Sequence, residues 1–179
     1  MVTASIIDVD GVNLGLLLLR LVIGTTMIAH GSNHIWGGGR IAGTAGWFTS
    51  LGLRPGILHA WLASVTELGA GALLILGLLN PLAAAGVVGT MTVALITNHF
   101  KNGFFIFRPG EGYEYVLNLI VAGLALGAMG PGEWSLDDAA GIELVGWTGL
   151  AITALAGIGG ALVLLAVFWR PQRTQTATS

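Results

Sequence analysis

Apolar residues run along this chain in long continuous blocks rather than in alternation. Five blocks carry few enough charges to be read as membrane-crossing helices, since a crossing takes about 20 apolar residues. The first runs from Leu14 to His34 with Arg20 as its one charge, and the second from Ile57 to Leu79 with Glu67 as its one charge. Pro81 opens a third block that reaches His99, in the first-turn position where a missing N–H costs nothing. The fourth covers Tyr113 to Met129 with Glu114 at its start, and the fifth, Ile142 to Trp169, is long enough to cross at a tilt. Continuous blocks do not suit the alternating strands of a β-barrel. The pattern predicts an all-α, polytopic membrane protein.

The connections carry their own signals. Ile35 to Gly56 carries Gly37, Gly38, Gly39, Gly43 and Gly46 with Trp36, Trp47 and Phe48, which suits a loop or short helix at the headgroup level. Asn80 and Pro81 leave almost no loop between the second and third helices, so these are predicted to be antiparallel neighbours. Lys101 to Gly112 reads as an aromatic interfacial loop, Gly130 to Gly141 as a polar, acidic one, and the last residues from Gln172 as a disordered polar tail.

Composition narrows the class. Only 9% of the 179 residues are charged and 54% are hydrophobic, against about 25% charged in a soluble domain, and the mean hydropathy is +0.83. A net charge of -2 with no basic block gives nucleic acid nothing to hold. The absence of cysteine removes disulfides, iron–sulfur ligation and thiol redox relays. With five spans, Arg40, Arg54, Lys101, Arg108, Arg170 and Arg173 fall on one side, and Asp8, Asp10, Glu133, Asp137 and Asp138 on the other. That bias predicts a multi-pass cell-membrane protein with its N-terminus outside and its C-terminus cytoplasmic. No basic region or small-residue cleavage site precedes the first helix, which is therefore expected to be retained.

Depth follows from distance along each helix at about 1.5 Å per residue. His30 and His34 close the first helix, His59 opens the second, Asn98 and His99 close the third, and Tyr113 and Glu114 open the fourth, with Asn118 one turn further in. By parity these form a polar cluster at one membrane end. Glu67 lies ten residues into the second helix, and Arg20 enters the first from the opposite surface at nearly the same height. An intramembrane charge normally faces a partner, so a buried Arg20–Glu67 ion pair is predicted. A stripe at period 3.6, Arg20, Gly24, Met27, Gly31 and His34, and residues at i+4 steps give predicted packing seams: Gly86, Thr90, Ala94 and Asn98; Glu114, Asn118 and Ala122; Gly149, Thr153, Gly157 and Ala161.

Several phrases together resemble the DoxX family of small integral membrane proteins: LLRLVIGTTMIAHG (Leu18 to Gly31), GWFTSLGL (Gly46 to Leu53), ELGAGALLILGLLNP (Glu67 to Pro81), NHFKNGFF (Asn98 to Phe105), GYEYVLNL (Gly112 to Leu119) and GPGEWSLDD (Gly130 to Asp138). The resemblance implies a four-helix transmembrane bundle over residues 14–140. An outer segment, 1–13, precedes it; an additional C-terminal transmembrane helix, 141–170, and a disordered tail, 171–179, follow. His34 stands where relatives often carry lysine, and Asn80 where a basic residue is common, so orientation rests on this chain's own charges. The family is named for a subunit of sulfur and terminal-oxidase systems and includes a membrane subunit of a thiosulfate:quinone oxidoreductase. The resemblance therefore implies an accessory subunit of a redox, quinone-linked membrane complex, and it supplies no catalytic residue set.

Each candidate has a chemical and a plain structural reading. Arg20 with Glu67 is either a proton or quinone site or an ion pair that fixes helix register. His30 and His34, four residues apart on one face, suit two ligands of one metal, completed by His99 or Glu114, or of heme; otherwise they are interfacial histidines. Tyr113, Phe104, Phe105 and Phe107 line a quinone cleft or form an aromatic belt. The glycine clusters lack a phosphate-loop signature and read as packing and turn glycines. The leading expectation is a non-catalytic subunit docking other membrane subunits through helix 142–169, within the lipid bilayer and without nucleic acid. A quinone- or metal-dependent oxidoreductase, and a small transporter or membrane chaperone, are the alternatives.

Overall fold

The apolar blocks fold as helices in a computed structural model that describes residues 8–171. The first seven residues and the expected disordered tail from residue 172 onward lie outside the described residues. The elements are α1 (Val9–Trp36), α2 (Arg40–Ser50), α3 (Gly56–Leu76), α4 (Asn80–Asn102), α5 (Glu114–Met129), α6 (Leu136–Ala139) and α7 (Gly146–Phe168). No strand is present among the described residues; Leu53 and Trp169 form an isolated bridge. α1, α3, α4 and α7 are long and apolar enough to cross a membrane, and α5 is a shorter apolar helix. The chain is a multi-pass, all-helical membrane protein.

The expected interfacial segment contains the 11-residue helix α2. α1 begins at Val9, five residues ahead of its apolar run, because Asp10 and Asn13 are accommodated rather than excluded. Asn13 is buried and exchanges hydrogen bonds with Glu133, its Nδ2 donating to Oε2 at 2.9 Å and its Oδ1 accepting from the Glu133 N–H at 3.0 Å.

α1 lies along α3, α4 sits between α3 and α5, and α7 packs on α4 and α5. Without a hydrophobic drive between helices in lipid, close packing of small residues holds such interfaces. A methyl group on Gly24 would stand 2.7 Å from the Gly71 carbonyl oxygen, and one on Gly71 would stand 2.6 Å from that of Gly24. The two helices therefore touch backbone to backbone. The α1 residues Arg20, Gly24, Met27 and Gly31 are all buried in this seam. Leu16, Ile23, Met27, Leu74, Val87, Val88, Val116 and Leu126 fill the centre of the bundle, and Phe48, Leu53, Ala60 and Leu165 form a second cluster at the end that holds the histidines.

One expected seam differs, and another is filled from within the chain. The buried face of α5 is Val116, Leu119, Ile120, Gly123, Leu126 and Gly127, so Glu114, Asn118 and Ala122 are rotated away from it. Asn118 is exposed, because at about 100° per residue it points opposite to Val116. On α7 the seam Gly149, Thr153, Gly157 and Ala161 is buried within the chain's own bundle. Thr153 Oγ1 donates to the Pro81 carbonyl at 3.0 Å, and a methyl on Gly157 would meet the Ala85 carbonyl oxygen at 2.9 Å. The seam expected to dock another subunit is thus occupied. The outward side of α7 is a plain apolar surface of Trp147, Leu155, Leu162, Val163 and Val167.

The end of α7 is strapped to the link between α2 and α3. Arg54 N–H donates to Phe168 O at 3.2 Å, Arg170 N–H to Gly52 O at 2.7 Å, and Trp169 Nε1 to Leu51 O at 2.9 Å. At the opposite end α3 stops at Gly77 (φ 63), a left-handed glycine cap. Leu79, also left-handed (φ 49), precedes α4.

Candidate functional site

The polar residues of the membrane interior fall into two groups at different heights along the α1–α3 seam. The lower group surrounds Arg20, whose side chain is fully buried. Its Nη1 donates to the Leu74 carbonyl at 3.3 Å and its Nη2 to that of Trp134 at 2.7 Å. Leu74 lies in the last turn of α3, where carbonyls lack intrahelical partners and a cation is favoured. Asp137 acts on the Arg20 charge from nearby. It is 1% exposed and accepts from the backbone N–H groups of Leu79 at 2.7 Å and Asn80 at 2.9 Å, capping α4 from a distant loop. The Asn80 side chain donates onward to Leu126 O at 2.7 Å.

The upper group centres on Glu67, 3% exposed. Its partner is His34, with Nδ1 3.1 Å from Oε2. The contact has ion-pair distance but not hydrogen-bond alignment, so both atoms lack an aligned hydrogen-bond partner. The expected Arg20–Glu67 pair is therefore not formed. Arg20 is level with Leu74, seven residues beyond Glu67 on α3, which is about 10 Å along the axis. The expected common height rests on starting α1 at Leu14, and the true register across the Gly24–Gly71 crossing separates the two.

Glu67 and His34 border a cavity of about 850 Å³ whose wall also includes His30, His59, Asn98 and His99. His59 is 3% exposed, and its Nε2 has no partner. Its ring packs edge-on against Phe168 at 5.1 Å, so the strap on α7 also positions this histidine. His99 is held by two bonds: Nδ1 donates to Glu111 O at 3.0 Å, and Asn98 Nδ2 lies 3.4 Å from Nε2. The cavity thus offers a carboxylate and several imidazoles against a largely apolar wall. That is the make-up of a pocket for a lipophilic molecule with a few hydrogen-bonding atoms.

Both π-helical turns of the chain's described residues flank this cavity: Leu95–His99 in α4, which carries Asn98 and His99, and Leu155–Gly159 in α7, which carries Ala156 and Gly157. Such turns put one extra residue into a helix and occur often at functional sites. Tyr115 on α5 and Phe48 on α2 complete the wall. Neither they, the π turns nor Asp137 are marked by the spacing of polar residues along the chain.

Three residues expected in the polar cluster are elsewhere. Tyr113 stacks on Phe100 at 5.7 Å and meets Phe104 edge-on at 5.5 Å. Glu114 accepts from the Ile106 N–H at 3.2 Å, and Asn118 is exposed. Phe104, Phe105 and Phe107 form an exposed aromatic cluster of their own and do not border the cavity. Among the described residues no three His, Asp or Glu side chains come together as a metal ligand set. The candidate set His30, His34, His99 and Glu114 does not assemble.

No curated protein and no solved structure matches the chain. Residues 15–100, from α1 through the π turn of α4, match the family model DoxX. The matched stretch includes the Gly24–Gly71 crossing, the His34–Glu67 contact and the small-residue face of α4. That match supports membership of the DoxX family of membrane proteins.

Proposed function

We propose that this protein binds a lipid-soluble molecule of the quinone class in the cavity between α1, α3, α4 and α7, and serves as an integral subunit of a membrane redox assembly. α1, α3, α4, the shorter α5 and α7 all cross the bilayer in this reading, with the histidine end cytoplasmic, as the loop charges favour. The observation that carries the proposal is a pair of unsatisfied buried groups facing one cavity: His59 Nε2, and Glu67 Oε2 beside a misaligned His34. A buried polar atom without a partner costs about 1–3 kcal/mol, and a ligand with a hydroxyl or carbonyl oxygen removes that cost at His59.

A bound quinone would supply the two-electron redox chemistry, which no side chain of this cysteine-free chain provides. His59, whose other ring nitrogen is turned to the Arg54 backbone, accepts at Nε2 from the hydroxyl of the reduced ligand and, once protonated there, donates to a carbonyl oxygen of the oxidised one. His34 and Glu67 hold or deliver a proton beside it. His99, fixed by Glu111 and Asn98, borders the same cavity. Electrons come from another subunit of the assembly.

The test is titration of the purified protein in lipid nanodiscs with a decyl-tailed benzoquinone, followed through quenching of tryptophan; Trp47 borders the cavity. Saturable binding is expected, weakened about tenfold by His59→Phe, the loss of one hydrogen bond to a buried group. No saturable quenching, or equal binding by His59→Phe and Glu67→Gln variants, overturns the reading.

A further inference from the structure

The cavity is much longer than a quinone ring, and its polarity is one-sided. Its floor is the α4 face from Leu82 to Asn98, about 24 Å at the helical rise, most of a hydrocarbon core of about 30 Å. The histidines, Asn98 and Glu111 border one end, Glu67 lies partway along, and beyond it come Ala85, Gly86 and Leu82. Thr90, in the same floor, spends its hydroxyl on the Gly86 carbonyl of its own helix. The walls are α3 and α7, both packed on α4, and the α7 wall is Ala156, Gly157, Gly160, Ala161 and Leu164.

Small residues make the groove, and they differ in what lies behind them. A methyl on Gly86 would strike Ala70 Cβ at 2.8 Å and one on Gly89 would meet Gly157 O at 3.2 Å. These two glycines seat α4 against its neighbours. Gly160 has nothing within 4 Å of where a Cβ would stand. Gly160 and Ala156, one turn apart on α7, are both exposed while bordering the cavity. They form a low sill where the groove opens sideways toward lipid.

Resting on the head-group reading above, we infer that the groove along α4 between α3 and α7 holds the single long hydrocarbon tail of the ligand, which enters from the bilayer over the sill of Ala156 and Gly160. The volume agrees with one head and one chain, since 850 Å³ falls near the top of the roughly 300–1,000 Å³ of small-molecule pockets. The polar end fixes which way the molecule lies: head among the imidazoles, tail toward Leu82. The site thus takes single-chain, polar-headed molecules already dissolved in the membrane.

The test compares two probes, a decyl-tailed benzoquinone and the same ring with a methyl group in place of the tail, on three proteins in nanodiscs. Gly160→Leu fills the groove without meeting backbone, and a leucine suits a helix better than glycine does. Gly69→Leu, on the exposed side of α3 with nothing within 4 Å, is the control. The wild type and Gly69→Leu are expected to prefer the tailed probe, and Gly160→Leu to lose about tenfold or more of that preference, because tail methylenes stay outside. Its affinity for the tailless ring is expected to be unchanged. A wild type without preference, or a preference that survives Gly160→Leu, overturns the inference while leaving the head site standing. If neither ring binds the wild type, the quinone reading fails, and a long-chain alcohol carrying an alkyl diazirine decides the groove. Photolabelling of the α4 floor that disappears in Gly160→Leu supports it for another single-chain amphiphile, and labelling equal in both proteins overturns it.

Discussion

Two ionisable residues inside the membrane, Arg20 and Glu67, look like partners in sequence and are neighbours of different groups in space. Arg20 donates to the end of α3 and to the Trp134 carbonyl, with the Asp137 charge acting on it, and Glu67 meets His34 in an imperfect contact. Charges about 10 Å apart along a helix pair, with no shared partner, lose stability independently, to within about 0.3–0.5 kcal/mol. The double variant Arg20→Leu with Glu67→Leu is therefore expected to lose the sum of the two single losses, measured as unfolding free energy in mixed micelles. A double variant nearly as stable as the better single one would restore the direct pair. Asp137 is the residue whose importance the chain conceals most. Its carboxylate receives the first N–H groups of α4 and holds Leu79 in a left-handed conformation that a leucine rarely adopts. Asp137→Ala strips two charge-assisted hydrogen bonds and removes a charge beside Arg20. A loss of about 3–6 kcal/mol is expected, two bonds at roughly 1.5–3 kcal/mol each to a charged group. A thermal unfolding scan that matches the wild type would refute that role.

At the scale of elements, hydrophobic blocks locate the four long apolar helices and the shorter α5 to within about five residues, because a segment that crosses lipid satisfies all its backbone groups internally and must be apolar over its length. Register is less legible. The apolar count starts α1 at Leu14, yet the helix begins at Val9 since Asn13 and Glu133 satisfy one another, a contact 120 residues apart that no local pattern records. The small-residue rule identifies the α1 and α7 seams, but on α5 the glycines Gly123 and Gly127 lie on the buried face and the i+4 set Glu114, Asn118 and Ala122 does not. Polar spacing is ambiguous at a helix end, where a side chain reaches water or a headgroup as readily as a neighbour. For the site, four histidines and Asn98 share an end of the bundle in both the sequence and the structure, whereas the π turns, Tyr115 and the tail groove depend on tertiary packing. The α1–α3 crossing gives a direct measure of how much a seam glycine matters. Gly71→Val places a branched side chain 2.6 Å from the Gly24 carbonyl, and overpacking of this kind costs about 1–3 kcal/mol. Gly69→Val, two residues away in open space, is expected to be near neutral in the same unfolding assay. Equal effects at the two positions would show that the helices do not touch at Gly71.

The whole molecule joins α7 to the bundle more closely than an added helix would be. α7 fills the surface of α4 and α5 with its small-residue face, and its end is tied to the α2–α3 link by three hydrogen bonds from Arg54, Arg170 and Trp169. It also supplies one wall of the cavity and the Phe168 ring that positions His59. A self-contained four-helix unit with a docking helix attached would tolerate removal of the attachment. Here, removal uncovers Gly89, Gly127 and the Pro81 carbonyl, all in contact with α7. In lipid an apolar surface carries no penalty of its own, so the loss comes from close packing and from the hydrogen bonds at the strap. A chain ending at Gly141 is therefore expected to insert into the membrane and remain helical, but to unfold at a lower temperature. Its α3–α4 face is expected to label readily with a membrane-soluble carbene reagent, and its binding of the tailed quinone is expected to be lost. Supplying residues 142–171 as a separate co-expressed chain is expected to restore part of the binding, because the seam and the strap are formed by contacts rather than by the connection. A truncated protein that keeps the wild-type melting temperature and its ligand affinity would make α7 an independent appendage, and would return its small-residue face to the role of a docking surface.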